Sequence, residues 1–125
     1  MELFVKYPVD VQNELLLGLV QVAKNTEFGK KYDFSSIKSY EDFALRVPIQ
    51  QYESIEPLIE RCRKGEQNLF WPTKIKWFAK SSGTTNAKSK FIPVSDEAIE
   101  DCHLKAGKDM LCLYINNNEE TRLFN

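Results

Sequence analysis

The 125-residue sequence has few residues that could hold a metal ion. It contains one histidine and three cysteines, and no two cysteines form a Cys-x-x-Cys pair. A structural zinc site needs about four such ligands in closer groups, so the sequence predicts no metal site. Free thiols without a secretory leader favour a reducing compartment, and we expect a cytoplasmic protein.

Long apolar runs and an excess of one charge are missing as well. No stretch approaches the ~18 apolar residues that cross a bilayer. The 17 basic and 18 acidic residues give a net charge of −1, which offers no general attraction to nucleic acid or to an anionic membrane. Hydrophobic residues make up 42% of the chain and aromatic residues 12%, so we expect a globular domain with a modest core.

The hydrophobic pattern predicts a first helix over residues 9–24. Its apolar residues recur at helical spacing and form one predicted inward face: Val11, Leu15, Leu16, Leu19 and either Val22 or Ala23. Residues 25–32 are polar and include a glycine, which predicts a turn.

Three further helices are predicted over residues 40–46, 54–64 and 95 to about 114. Each begins at a serine that can cap the first turn, which gives Ser39, Ser54 and Ser95 as predicted caps. Gly65 supplies a left-handed end for the third helix. The last helix would turn one side inward, formed by Ala98, Ile99, Cys102, Ala106, Met110 and Leu113.

Two strands are predicted, over residues 74–80 and 90–94, and Pro93 confines the second to a sheet edge or end. Trp71, Trp77 and Phe78 are expected in the core, since aromatic side chains bury large areas. Residues 116–120 predict a turn, and residues 121–125 predict the beginning of another strand. The order of elements predicts an α/β fold, or an α+β fragment, and the unpartnered last strand predicts that the natural chain continues.

The loop between the two strands carries the clearest chemical pattern. Residues 80–90 have the sequence Lys-Ser-Ser-Gly-Thr-Thr-Asn-Ala-Lys-Ser-Lys. This connection is too long for a tight hairpin. Five hydroxyl side chains and one glycine can present donors to an anion, and exposed amides of such a turn form an anion-binding nest. From composition alone, an ordinary solvated loop fits equally well.

Charge around this loop is one-sided. From residue 73 to residue 95 there are five lysines and no acidic residue, which leaves 12 basic against 18 acidic residues elsewhere. A local cationic strip on an acidic protein favours a specific anionic ligand over nucleic acid. The loop lacks the spacing of a Walker motif and of a dinucleotide fingerprint.

The order of residues in the loop resembles a known motif. Ser-Ser-Gly-Thr-Thr at 81–85, followed by Lys90 and Pro93, is similar to the phosphate-binding motif of acyl-adenylate-forming enzymes. The longer segment 78–95 resembles the sequence of one branch of these enzymes, the auxin-responsive acyl-acid amido synthetases. The upstream segments similar to the same branch are Thr26-Glu27-Phe28-Gly29, Val47-Pro48-Ile49 with Tyr52, and Ile59-Glu60-Arg61 through Gly65 to Trp71-Pro72.

The resemblance implies ATP-dependent activation of a small carboxylic acid, followed by transfer to an amine such as an amino acid, with ATP and Mg²⁺ as cofactors. It implies six phosphate-binding residues: Ser81, Ser82, Gly83, Thr84, Thr85 and Lys90. Lys88 is the alternative for the motif lysine, because the residues after Thr85 depart from the common pattern. No catalytic residue is assigned.

The same resemblance makes residues 1–125 the N-terminal segment of the large adenylate-forming domain. We expect this segment alone to be inactive, and its exposed core face to favour self-association. Two alternatives stay open: an acyl-CoA ligase, which would use a thiol, and a truncated relative that binds nucleotide or a protein partner without catalysis.

Overall fold

The computed structural model describes residues 2–81, 89–118 and 120–123 of the chain. The elements, in chain order, are helices α1 (Glu2–Lys6), α2 (Pro8–Ala23), α3 (Glu27–Lys31), α4 (Tyr40–Arg46) and α5 (Tyr52–Arg63), strands β1 (Trp77–Lys80) and β2 (Phe91–Val94), and helices α6 (Asp96–Ala98) and α7 (Lys105–Asn117). A 3₁₀ turn at Phe34–Ser36 follows α3, and a π-helical segment at Ile99–Leu104 joins α6 to α7. Over the described residues the fold is therefore α+β, a set of helices with one small sheet.

The first predicted helix is confirmed as α2, but its predicted inward face is wrong in part. Val20 and Ala23 are buried, whereas Leu15, Leu19 and Val22 are exposed. The run Leu-Leu-Leu-Gly-Leu-Val offers apolar side chains on more than one side of the helix. The elements that pack against α2, which include α1, the 3₁₀ turn, α3 and α4, decide which side is buried.

The predicted turn over residues 25–32 is also wrong, because it contains helix α3. Thr26 caps this helix: its hydroxyl accepts a hydrogen bond from the Gly29 N–H at 3.0 Å. The cap is stabilising because it satisfies a first-turn donor that would otherwise lack a partner. The five residues Glu27–Lys31 therefore form a short helix behind a buried cap.

Helix α4 matches its prediction, and the Ser39 hydroxyl accepts from the Asp42 N–H at 3.2 Å. Helix α5 begins at Tyr52, two residues before its predicted start, so Ser54 lies inside the helix and is not its cap. The end of α5 is as predicted. Gly65 has φ of +99° and donates to the Cys62 carbonyl at 2.9 Å, which closes the last turn.

Two core clusters hold these elements together. The first joins α2 to the 3₁₀ turn through Val20, Ala23, Phe34 and Ile37. The second contains Cys62, Leu69 and Ile75. Trp71 packs against both clusters, so the α2 side and the α5 side of the domain share one contact residue.

Strands β1 and β2 form an antiparallel pair in which Trp77 lies opposite Val94 and Lys80 lies opposite Phe91. Both strands are shorter than predicted, since β1 begins at Trp77 and β2 at Phe91. Ile75, before β1, is buried in the second core cluster. Trp77 is 58% exposed, so its predicted place in the core is wrong. The pairing places the end of β1 beside the start of β2, where the loop begins and ends.

The predicted cap at Ser95 is confirmed, since its hydroxyl accepts from the Ala98 N–H at 3.1 Å. The predicted inward side of the last helix is wrong beyond Ile99: Cys102, Ala106, Met110 and Leu113 are exposed. Helix α7 extends past both core clusters, and neither cluster includes any of its residues. It ends at Asn117, later than predicted, and the described residues 120–123 form no strand.

Candidate phosphate-binding site

The two strands fix the base of the predicted phosphate loop. The Ser81 N–H donates to the Lys90 carbonyl at 2.9 Å, and the Lys90 N–H donates to the Ser81 Oγ at 3.2 Å. One backbone bond and one bond to a side chain thus join the two residues that follow the last ladder pair, Lys80 and Phe91. Two of the six predicted phosphate-binding residues, separated by nine positions, are therefore adjacent in the fold.

The other four predicted residues lie outside the described residues, as does the alternative lysine, Lys88. They are Ser82, Gly83, Thr84 and Thr85. Their contacts with a phosphate stay predictions that follow from the motif.

The Lys90 side chain reaches helix α5. Its Nζ donates to the Glu53 Oε1 at 3.2 Å and lies 4.9 Å from the centroid of the Tyr52 ring. The Glu53 side chain is 65% exposed and that of Lys90 is 44% exposed. The ammonium is thus held at the surface, where a ligand from solvent can reach it.

Tyr52 also holds the backbone beside Lys90. Its hydroxyl accepts a hydrogen bond from the Phe91 N–H at 3.0 Å. The ring of Phe91 makes a cation–π contact with Arg63, whose guanidinium stacks 3.8 Å from the ring centroid. Both ends of α5 therefore touch the first residues of β2.

Sequence reasoning missed the contribution of α5 to this site. Glu53 lies 37 residues before Lys90, and no local pattern connects the two. Tyr52 was singled out only by the family resemblance. The one usable signal was the aromatic and acidic pair immediately before the predicted helix start.

The surroundings of the Glu53 carboxyl group favour its ionised form. The pKa of its carboxyl lies below the ordinary value because its own backbone N–H, in the first turn of α5, donates to it, and because Lys90 pairs with it. The first turn of a helix favours negative charge. A second lysine of the cationic strip, Lys76, pairs with Asp96 at 2.9 Å. Two strip lysines thus take their carboxylate partners from outside the strip.

An apolar groove of about 180 Å³ runs beside the site, between α5 and β2. Ile55 and Ile59 form its α5 side, and Phe91 and Pro93 form its β2 side. Tyr52 lines the groove as well as contacting Lys90. An apolar surface and a cation are therefore neighbours here.

The described donors suit an anion. The Ser81 Oγ accepts a hydrogen bond from the Lys90 N–H, and a hydroxyl that accepts one hydrogen bond can still donate its own proton. The Lys90 ammonium has three N–H groups, and its one hydrogen bond within the described ranges goes to Glu53.

Among the described residues there is no group of three or more His, Cys, Asp or Glu side chains able to hold a metal. No helix in the described part of the chain has the length and apolar character to cross a membrane.

Two similar proteins from plants indicate the relationship of this chain. The chain is 29% identical over 94 residues to the indole-3-acetic acid-amido synthetase GH3.2 of Arabidopsis thaliana, covering 74% of this chain and 17% of that protein. It is 31% identical over 91 residues to the jasmonoyl-L-amino acid synthetase JAR6 of Nicotiana attenuata, covering 72% of this chain and 16% of that protein. The matched region is thus about a sixth of each relative.

The family match covers nearly the whole chain. Residues 1–123 match the GH3 family N-terminal domain, a region that includes α1 to α7 and the loop between β1 and β2. The resemblance to amido synthetases that the motif residues indicated is confirmed by this match and by the names of the relatives. The chain belongs to the GH3 family.

Proposed function

We propose that this chain supplies the phosphate-binding part of an ATP-dependent acyl-acid amido synthetase. The observation that carries the proposal is the reciprocal bonding of Ser81 and Lys90, which brings a hydroxyl and an ammonium to the base of one loop. Membership of the GH3 family and the amido synthetase names of its relatives support the reaction class.

The reaction would proceed in two steps. A carboxylate oxygen of the acid attacks the α-phosphorus of ATP, the bond to pyrophosphate breaks, and an acyl-adenylate forms. The nitrogen of an amino acid then attacks the acyl carbon, AMP leaves with the electrons of the broken bond, and the nitrogen loses a proton. The acid would be a small carboxylic acid of the kind that the names of the relatives indicate, such as indole-3-acetic acid.

The residues of this chain would act by position and charge. Lys90 would pair with a phosphate oxygen, and the Ser81 hydroxyl would donate to another. Ser82, Thr84 and Thr85 would add donors, and Gly83 would let the backbone turn so that its amides face the phosphates. Such donors stabilise the charge that develops during phosphoryl and acyl transfer. Mg²⁺ would enter with the nucleotide and neutralise part of its charge.

The binding half of the proposal can be tested on the 125-residue chain. We expect Mg·ATP to bind saturably in isothermal titration calorimetry, and Lys90→Ala to weaken that binding at least several-fold. The matched control is Lys108→Ala, which removes the same charge from helix α7, remote in sequence from the loop. Equal loss in both variants would show a general charge effect and would count against a site at Lys90.

The catalytic half needs a full-length amido synthetase that carries this segment. We expect pyrophosphate release that depends on acid, and a 10²-fold or greater loss in Lys90→Ala, which is about the effect of removing one transition-state donor. The 125-residue chain alone is expected to release none. Nucleotide binding without release from the full-length protein, for any acid, would favour a binding module.

A further inference from the structure

Lys90 already has an anionic partner within the fold. The Glu53 carboxylate accepts from the Lys90 Nζ at 3.2 Å, and the two side chains come from different elements, the first turn of α5 and the residue before β2. In a site that binds phosphate through this lysine, a phosphate oxygen and the Glu53 carboxylate would compete for the same ammonium.

The surroundings of the pair allow exchange. Both side chains are exposed, that of Lys90 by somewhat less than half, so the pair is weak and a ligand can reach it. The Lys90 main chain, in contrast, is bonded on both sides of the residue: to Ser81 through its own N–H and carbonyl, and to Tyr52 through the next N–H. The ammonium can therefore change partners while the backbone stays in place.

We propose that Glu53 is an internal counter-ion of Lys90, which an incoming phosphate group must displace. The inference rests on the proposed role of Lys90 in binding phosphate. Tyr52 and Glu53 would have separate tasks: the tyrosine hydroxyl holds the start of β2, and the glutamate lowers the affinity of the lysine for anions.

The test uses inorganic pyrophosphate as the probe and the 125-residue chain. Removing the competing charge in Glu53→Gln should raise the affinity for pyrophosphate about two- to five-fold, the range that corresponds to an exposed ion pair. Glu56→Gln removes the same charge from the same helix and is not bonded to Lys90, so we expect it to leave the affinity near the wild-type value. In a Lys90→Met background, Glu53→Gln should have no effect.

The outcomes separate the counter-ion role from the proposed function. Binding by the wild-type chain that Glu53→Gln leaves unchanged or weakens would overturn the counter-ion role and keep the phosphate site. An equal gain in Glu56→Gln would overturn it too, because net charge would explain the gain. No pyrophosphate binding by wild type and Glu53→Gln alike would overturn both. Binding by Glu53→Gln alone, lost again when Lys90→Met is added, would support both.

Discussion

Gly29 lies against the carbonyl oxygen of Ala23, so closely that a Cβ at Gly29 would stand 2.1 Å from that oxygen. The contact sits where α2 ends and α3 begins, and both residues are buried. Thr26, between them, is completely buried. The close approach of the backbone at this junction therefore needs a residue without a Cβ.

Replacing Gly29 should separate the two helices. We expect Gly29→Ala to destabilise the domain by about 1–3 kcal/mol or more, because the added methyl group meets backbone that cannot rotate away. Gly18→Ala is the matched control: Gly18 is exposed within α2, a Cβ there meets nothing within 4 Å, and alanine should stabilise by about 0.5–1 kcal/mol. Urea unfolding measures both, and loss of the same size in the two variants would contradict the contact.

The Thr26 hydroxyl makes two buried hydrogen bonds at the same junction. It donates to the Ala23 carbonyl at 2.7 Å and accepts from the Gly29 N–H at 3.0 Å. Thr26→Val keeps the shape and leaves the buried Gly29 N–H without its partner, whereas the Ala23 carbonyl still accepts from the Thr26 N–H at 3.0 Å. We therefore expect a loss of about 1–3 kcal/mol in unfolding free energy. Thr26→Ser keeps the hydroxyl and should lose only about 1 kcal/mol with its methyl group. A valine variant as stable as the serine variant would contradict the prediction.

Local signals predicted local structure well in this chain. Ser39 and Ser95 cap helices as predicted, and Gly65 adopts the left-handed conformation that ends α5, because each depends on a few neighbouring residues. Ser54 failed as a cap for a physical reason: Gln51 already takes the extended conformation at that helix start. A cap pattern is thus reliable only where no earlier residue can begin the helix.

Longer-range features were not predictable. The inward side of α2 depends on the elements that pack against it, among them α1, the 3₁₀ turn, α3 and α4, which the periodicity of α2 cannot reveal. In the candidate site, the loop motif identified Ser81 and Lys90, but the pairing of Lys90 with Glu53 depends on how α5 packs against β2. The sequence of a loop therefore predicts its chemistry more readily than it predicts which residues of other elements will pack against it.

The corrected face of α2 can be tested with two adjacent residues. Val20 is 4% exposed and Leu19 is 49% exposed. Val20→Ala should cost about 1–3 kcal/mol in unfolding free energy, since it leaves a cavity in the first core cluster. Leu19→Ala should stay within about 0.5 kcal/mol of wild type, although it removes more atoms. Chemical unfolding of both variants measures the two losses. A larger loss in Leu19→Ala than in Val20→Ala would support the inward face that the sequence predicted.

Arg61 is the centre of an ion-pair cluster that makes stability depend on acid pH. Its NH1 and NH2 each donate to one carboxylate oxygen of Glu27 at 2.7 Å, and its Nε donates to Glu66 at 2.8 Å. Hydrogen bonds from Arg61 are the largest cause that lowers the pKa of Glu27 and of Glu66 below ordinary values. The cluster joins α3 to α5 and to the residue after Gly65.

The sign of the pH dependence follows from those lowered pKa values. A carboxyl whose pKa is lower in the folded state adds stability that is fully present above its ordinary value near 4.5, and loses it as the pH falls through the folded value. The melting temperature of the wild-type chain should therefore fall as the pH is lowered from 6 to 3. In Arg61→Gln the decline should be shallower, starting from a lower melting temperature at pH 6. Lys64→Gln removes one positive charge close by and should keep the wild-type slope, and parallel curves for all three proteins would show that Arg61 does not set it.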